Sequence, residues 1–232
     1  MKAVVLFSGG LDSTTLLYWA LAQGKEIEAL SFDYGQRHSL EIKLAHQVCQ
    51  RLGLRHEVIK VDLRPIVSSA LTDPASDIPK FTARTSGERP AGPPTTYVPF
   101  RNGIFLSLAA AWAETRAIEE ILCGFHVLDS PEYPDTTEGF VRAMEEAINQ
   151  GTRAAFGEFR FKIICPFLKL KKADILRLGL SLGADYSYSI SCYRGEEVPC
   201  FECPACYYRQ QAWQQVGEED HLLRRLRKEG KL

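Results

Sequence analysis

Short apolar runs alternate along this chain with stretches whose apolar residues return every three or four positions. Residues 3–7 (AVVLF) form the first run, and Leu16, Leu17, Tyr18 and Leu21 behind it keep helical spacing. Residues 27–32 form the second run. Leu40, Leu44, Val48 and Leu52 then recur at every fourth position, with Gly53 as a stop. Residues 57–61 form the third. A continuous apolar run of this length reads as a strand buried on both faces, and a repeat near 3.6 as a helix with one buried stripe. Strand, helix, strand, helix, strand is the order of a parallel α/β sheet with helices on both faces.

The pattern resumes with a helix over 103–115, where Ile104, Leu108 and Trp112 share a face, and a strand over 119–125. A helix carrying Phe140, Met144 and Ile148 follows, with Thr136 or Thr137 as its cap. A strand over 161–166 and a helix marked by Ile175, Leu176, Leu178 and Leu182 complete the series. Residues 72–100 interrupt it with six of the twelve prolines, Gly87 and Gly92. A long irregular excursion in a compact domain is usually functional or disordered, and here a lid over the site is expected. The chain divides into an α/β domain over 1–190 and a small C-terminal subdomain over 191–232.

The first strand ends abruptly at Ser8-Gly9-Gly10, with Asp12 and Ser13 where a helix N-cap belongs. Strand, glycine turn and helix N-terminus bring unpaired N–H groups and the positive end of the helix dipole to one place, which suits a phosphate. Gly9 and Gly10 can take positive φ and let an anion approach the backbone. No lysine follows the glycines, so the G-x-x-x-x-G-K-[ST] loop is excluded, and G-x-G-x-x-G is absent too. The hexapeptide Ser8-Gly9-Gly10-Leu11-Asp12-Ser13 instead resembles the SGGxDS loop of the ATP pyrophosphatase families. That resemblance implies ATP on Ser8, Gly9, Gly10, Leu11, Asp12, Ser13 and Thr14.

Other candidates lie at further strand ends, where parallel sheets bind ligands. Asp33 to His38 follows the second strand, so adenosine would lie between this loop and the first, with Phe32 or Tyr34 near the base or, equally, in the core. Arg101 offers a fork for a carboxylate or phosphate, and the first turn of its helix would present N–H donors. Asp129 and Asp135 are carboxylates of the loop after the fourth strand; Asp135 can equally favour a helix start. Lys169, Lys171 and Lys172 crowd the front of the next helix against its dipole, and Lys172 can reach a phosphate while its neighbours stay solvated.

Charge and cysteine usage narrow the class. With 28 Lys and Arg against 29 Asp and Glu the net charge is −1, so nothing marks a nucleic-acid partner. No apolar run nears the roughly 18 residues of a membrane span, and no signal-peptide layout precedes the first strand; a cytoplasmic protein with no membrane partner is expected. Arg224, Arg225, Arg227, Lys228 and Lys231, after Glu218, Glu219 and Asp220, read as a solvated terminal helix. Seven cysteines in a reducing compartment argue against a disulfide framework. Cys192, Cys200, Cys203 and Cys206 are spaced C-x7-C-x2-C-x2-C. Four thiolates so close suit one structural zinc per chain; an iron–sulfur cluster or a redox pair at Cys203 and Cys206 are the alternatives. Cys49, Cys123 and Cys165 lie in apolar elements and read as core.

Taken in order, LFSGGLDS (6–13), FDYGQRH (32–38), VPFRN (98–102), YPD (133–135), KADI (172–175) and SCY (191–193) with the later cysteines resemble the 7-cyano-7-deazaguanine synthase (QueC) family. Two places depart from that pattern: Phe100, where a small residue is commoner, and Ser130-Pro131-Glu132, where Ser-Gly is commoner before the tyrosine. The resemblance implies a Rossmann-like fold of the adenine nucleotide alpha hydrolase type with a zinc-bound C-terminal corner. It implies a ligase converting 7-carboxy-7-deazaguanine and ammonia, with ATP and Mg²⁺, to the nitrile of queuosine biosynthesis. Asp12, Lys172 and Arg101 are the catalytic candidates, and a homodimer is expected. The rival readings are a tRNA-thiolating or other ATP pyrophosphatase, a related enzyme acting on another carboxylate, and a zinc-containing ATP-binding regulator.

Overall fold

The computed structural model describes residues 1–37, 40–81, 92–126 and 133–232. His38, Asp129 and Ser130-Pro131-Glu132 lie outside them, as does the middle of the expected lid. Five parallel strands run β1 (Lys2–Leu6), β2 (Glu26–Asp33), β3 (Arg55–Lys60), β4 (Glu120–Leu122) and β5 (Lys162–Ile164), in the order β3-β2-β1-β4-β5. β1 is central: Val5 pairs with Ala29 on one side and with Leu122 on the other. β4 and β5 are shorter than their apolar runs, because Cys123 still donates to Ile164 across the pair but the chains then diverge into loops.

Among the described residues there are seven α-helices: α1 (Leu11–Ala22), α2 (Leu40–Leu52), α3 (Arg101–Glu114), α4 (Glu138–Gly151), α5 (Lys172–Ser181), α6 (Pro204–Val216) and α7 (His221–Lys228). On one face Leu16, Leu17 and Ala20 of α1 pack with Val48 of α2, Ile175 and Leu176 of α5, and Ala212 and Trp213 of α6. On the other, Val4, Leu30 and Ile121 pack against Leu106 and Ala110 of α3 and Val141 and Ile148 of α4. Residues 191–232 therefore share the main core through α6 while keeping a satellite cluster, where Leu222 and Leu226 meet Cys192, Cys203 and Cys206.

Thr137 caps α4, accepting a hydrogen bond from the Phe140 N–H. The start of α1 differs from expectation. Gly10 occupies the cap position, and no side chain caps the helix. Ser13 instead donates to the Gly10 carbonyl, and Asp12, inside the first turn, points elsewhere. Asp135 does serve a helix start, but that of α3: its Oδ2 accepts from the Asn102 N–H at 3.0 Å. The first turn of α3 thus spends donors internally, with Arg101 N–H on Val98 O and Ile104 N–H on Phe100 O. Both ends of the 72–100 excursion are packed. Thr72, Thr96 and Val98 are buried, and Phe81 stacks on Tyr207 of α6 while its N–H reaches Glu202 O.

Candidate active site

The strand order reverses between β1 and β4, and in open α/β sheets the crevice beyond the carboxyl ends at that point receives the ligand. β1 delivers the 8–14 turn there. Gly9 holds φ of 79°, and a Cβ on it would meet the Glu41 carbonyl of α2 at 2.9 Å, so only glycine admits both the turn and the neighbouring helix. Ser8 Oγ lies 3.1 Å from Ser13 Oγ and accepts from the Gly10 N–H. Leu11 and Thr14 are buried, so their side chains belong to the core. What the turn exposes is backbone: the first-turn N–H groups of α1 have no intrahelical acceptors.

Asp12 is where three parts of the chain meet. Lys172, the first residue of α5, donates to its Oδ2 at 2.6 Å. His126, four residues beyond β4 and buried, brings Nε2 to 3.4 Å from the same oxygen. Burial pushes the Asp12 carboxyl up, but Lys172 and His126 outweigh it and hold the group far below the usual carboxylate range. Its other oxygen, Oδ1, is buried with no hydrogen-bond partner. A charged carboxylate with one oxygen fixed and one spare is suited to a cation or an incoming polar group. Lys169 and Lys171 stay exposed, so only Lys172 joins the site.

Arg101 occupies a second corner of the same edge. It donates to the Tyr34 hydroxyl at 3.4 Å and lies near Asp135 and Tyr193. Burial works against its charge, but these partners hold its pKa up. Phe32 and Tyr34 go to the core: Phe32 stacks on Phe105 at 4.1 Å and Tyr34 lies tilted against the same ring. Neither is free to stack on a base. Asp135 keeps a buried, unpartnered Oδ1 beside Arg101 while its Oδ2 serves α3.

The cysteine corner backs onto the phosphate-type turn. Ile190 N–H donates to Gly9 O at 3.0 Å, two residues before Cys192. The sulfurs of Cys192, Cys200, Cys203 and Cys206 all lie within 4.8 Å of one another and can hold a metal ion. Cys200 and Cys203 N–H groups point at the sulfurs of Cys192 and Cys200, an arrangement that favours thiolates. Of the remaining cysteines, burial pushes Cys49 up to about 12, and burial with a hydrogen bond to Cys165 raises Cys123 well above a thiol's ordinary value. Neither is an activated nucleophile.

Sequence reasoning missed His126. It lies in a polar loop 114 positions from Asp12, and nothing local distinguishes it; only its place just past a strand end was a signal. Arg209 was missed too. It is buried in α6, with Nε and Nη2 on the two oxygens of Asp220 at 2.6 and 2.8 Å and Nη1 on Ser189.

Known proteins resemble this chain in sequence. A 7-cyano-7-deazaguanine synthase of Thermoplasma volcanium is 44% identical over 95% of this chain and 90% of its own. One of Nostoc punctiforme is 42% identical over 96% of this chain and 99% of its own. Among solved structures, a 4-thiouridine synthetase–RNA complex with bound ATP superposes with a TM-score of 0.51 at 18% identity, over 93% of this chain and 50% of that one, which supports the fold. Among the described residues no helix is long and apolar enough to cross a membrane. The model for "Queuosine biosynthesis protein QueC" matches residues 2–217, and with the strand-end geometry and the cysteine corner in place, this chain belongs to the QueC family.

Proposed function

We propose that the chain is a 7-cyano-7-deazaguanine synthase, a ligase that turns 7-carboxy-7-deazaguanine and ammonia into the nitrile with ATP. The Asp12–Lys172–His126 cluster at the head of α1 carries this reading, since it sets a spare carboxylate oxygen and a lysine beside unpaired N–H groups. A carboxylate resists attack by ammonia because its oxygen cannot leave. Attack of that oxygen on the α-phosphorus of ATP forms an acyl-adenylate and breaks the bond to pyrophosphate. Ammonia then adds to the acyl carbon, loses a proton, and expels AMP to give the amide. The amide oxygen attacks the α-phosphorus of a second ATP and expels a second pyrophosphate, and loss of AMP and the two remaining N–H protons leaves the C≡N bond.

The protein's part is positioning and charge balance. The 8–14 turn holds the β- and γ-phosphates through backbone N–H groups. Lys172 stabilises negative charge on the phosphates, and His126 keeps Asp12 ionised and oriented when Lys172 turns to them. Asp12 Oδ1 would hold Mg²⁺, which supplies neutralisation of the leaving pyrophosphate. Arg101 takes the substrate carboxylate or a phosphate, with Asp135 beside it as an acceptor for ring N–H groups.

The cysteine corner holds zinc in this reading. Tetrahedral bonds of about 2.3 Å set sulfur–sulfur edges of about 3.8 Å, and Cys200 and Cys206 sit at 3.9 Å. Four protein ligands leave no open position, so the metal braces structure. The depressed reactivity of Cys49 and Cys123 weighs against a thiolating enzyme. Mass spectrometry of a reaction with 7-carboxy-7-deazaguanine, ammonium, Mg²⁺ and ATP tests the proposal. AMP with the nitrile product is expected; AMP and nitrile both missing would refute it.

A further inference from the structure

The end of α2, the loop after α5 and one face of α7 border an open recess of about 290 Å³. It is lined by Arg51, Ser187, Tyr188, His221, Arg224, Arg225 and Lys228. No acid is in this lining, although the whole chain carries a net charge of −1. Like charges gathered in one recess repel, and the arrangement is favourable only when something answers them. Asp185 lies 3.8 Å from Arg51 and from His221, and Glu229 lies 3.4 Å from Arg225. Arg224 and Lys228 have no ion pair among the described residues.

Two further details make this more than a solvated basic face. Tyr188 carries two guanidinium groups over its ring, Arg51 at 4.1 Å from its centre and Arg225 at 4.5 Å. Arg51 also donates to the Tyr188 hydroxyl at 2.9 Å. Both guanidiniums are thereby restrained, and the tyrosine ring is already engaged by them. Arg225 Nε is buried without an acceptor, and a buried donor left unpaired is costly. Helix C-termini attract cations, which accounts for Arg51 and Lys228 one at a time but not for an Arg225 donor with nothing to donate to. His221 adds a donor: its Nδ1 accepts from the Tyr186 N–H, so a neutral ring carries its proton on Nε2.

We propose that this recess is an anion subsite for a compact phosphate group, held by Arg51, Arg224, Arg225 and Lys228 with His221. Its volume falls just below the roughly 300 Å³ at which organic-ligand pockets begin, and it presents charge with its tyrosine ring already engaged, so it selects phosphate chemistry over a nucleoside. The phosphate comes either free, as inorganic phosphate or pyrophosphate, or on the backbone of an RNA. The inference stands apart from the proposed reaction and needs none of its residues.

The test is calorimetric titration of the full-length, metal-loaded protein and its R224Q/K228Q variant, both with a non-hydrolysable ATP analogue in excess to fill the 8–14 turn. The two side chains are exposed, so unchanged thermal unfolding and AMP production are the controls for folding. Inorganic pyrophosphate is expected to bind the wild type and to bind the variant at least about tenfold more weakly, the loss for one charged hydrogen bond. A twelve-nucleotide RNA that shows the same loss names the polymer as the source, and one that binds neither protein names the free anion. If neither pyrophosphate nor RNA binds the wild type, or both proteins bind them equally well, the subsite does not exist.

Discussion

Two acid–base pairs each join distant parts of the chain, one buried and one partly open to solvent, and they do opposite things. Asp220 has each oxygen occupied, by Arg209 Nε and Nη2 and by the Leu222 N–H at the start of α7. Arg209 is in turn completed by Ser189. Asp12 has one oxygen shared by Lys172 and His126 and one with no partner at all. A saturated pair joins elements of structure, here α6, α7 and the loop before Cys192. An unsaturated one is a store of unused binding capacity, and it sits where the strand order reverses. Charge alone would have ranked the two alike; the count of unused acceptors separates them.

The largest effect should fall on chemistry at the unsaturated pair. Asp12→Asn is expected to lower AMP formation by about a thousandfold, the scale of losing one preorganised charge. Its loss of unfolding free energy should be smaller than that of Asp220→Ala below, because Lys172 can turn its ammonium to water. Steady-state kinetics beside urea unfolding would check both halves. A large stability loss with modest kinetic loss would make this pair structural as well.

The saturated pair predicts the reverse. Asp220→Ala strands the Arg209 charge in the core and should cost about 3–5 kcal/mol of stability, with kcat per folded molecule preserved. The cysteine corner should behave similarly. Cys203→Ser is expected to abolish stoichiometric metal, read by elemental analysis, and to release α6 and α7 to protease while β1 and β2 stay protected from hydrogen exchange.

Acidity sharpens the contrast. The folded-state pKa of Asp12 lies below its unfolded value. Its contribution to stability is therefore fully present above the unfolded value near 4 and is lost as pH falls through the folded one. Lys172→Met removes the strongest of the lowering interactions. The acid limb of the activity profile should then move to higher pH, as an activity titration would show. The smallest change is expected at Tyr186→Phe. The hydroxyl bonds Thr15 Oγ1 at 2.7 Å and occupies the space where a Cβ on Gly179 would lie. Its loss should cost about 1 kcal/mol by thermal unfolding, with no kinetic consequence.

Local pattern revealed what local physics decides. The apolar runs at 3–7 and 27–32 could only be central strands, and four cysteines within fifteen residues could only converge. Lys172 was legible because a lysine at a helix start runs against the dipole and asks for a reason. Pairings made by tertiary distance were hidden. His126 reaches Asp12 only because β4 lies beside β1, and Asp135 accepts from Asn102, 33 residues before it in the first turn of α3, rather than serving the helix it precedes. Arg209 looked like one more polar residue of a helix until α7 folded back over it. The cap of α1 was misread for a related reason: Asp12 has the chemistry of a cap, but Lys172 of α5 and His126 beyond β4 hold it elsewhere.

The hydrogen bond from Ile190 to the Gly9 carbonyl has a bearing on biosynthesis. The glycine turn leaves the ribosome almost first, yet its lysine and the backbone that braces it are among the later parts to emerge. A nascent chain halted at α4 holds the whole nucleotide signature and none of its support. On the proposed reading, competence for ATP is therefore expected to arrive late in translation.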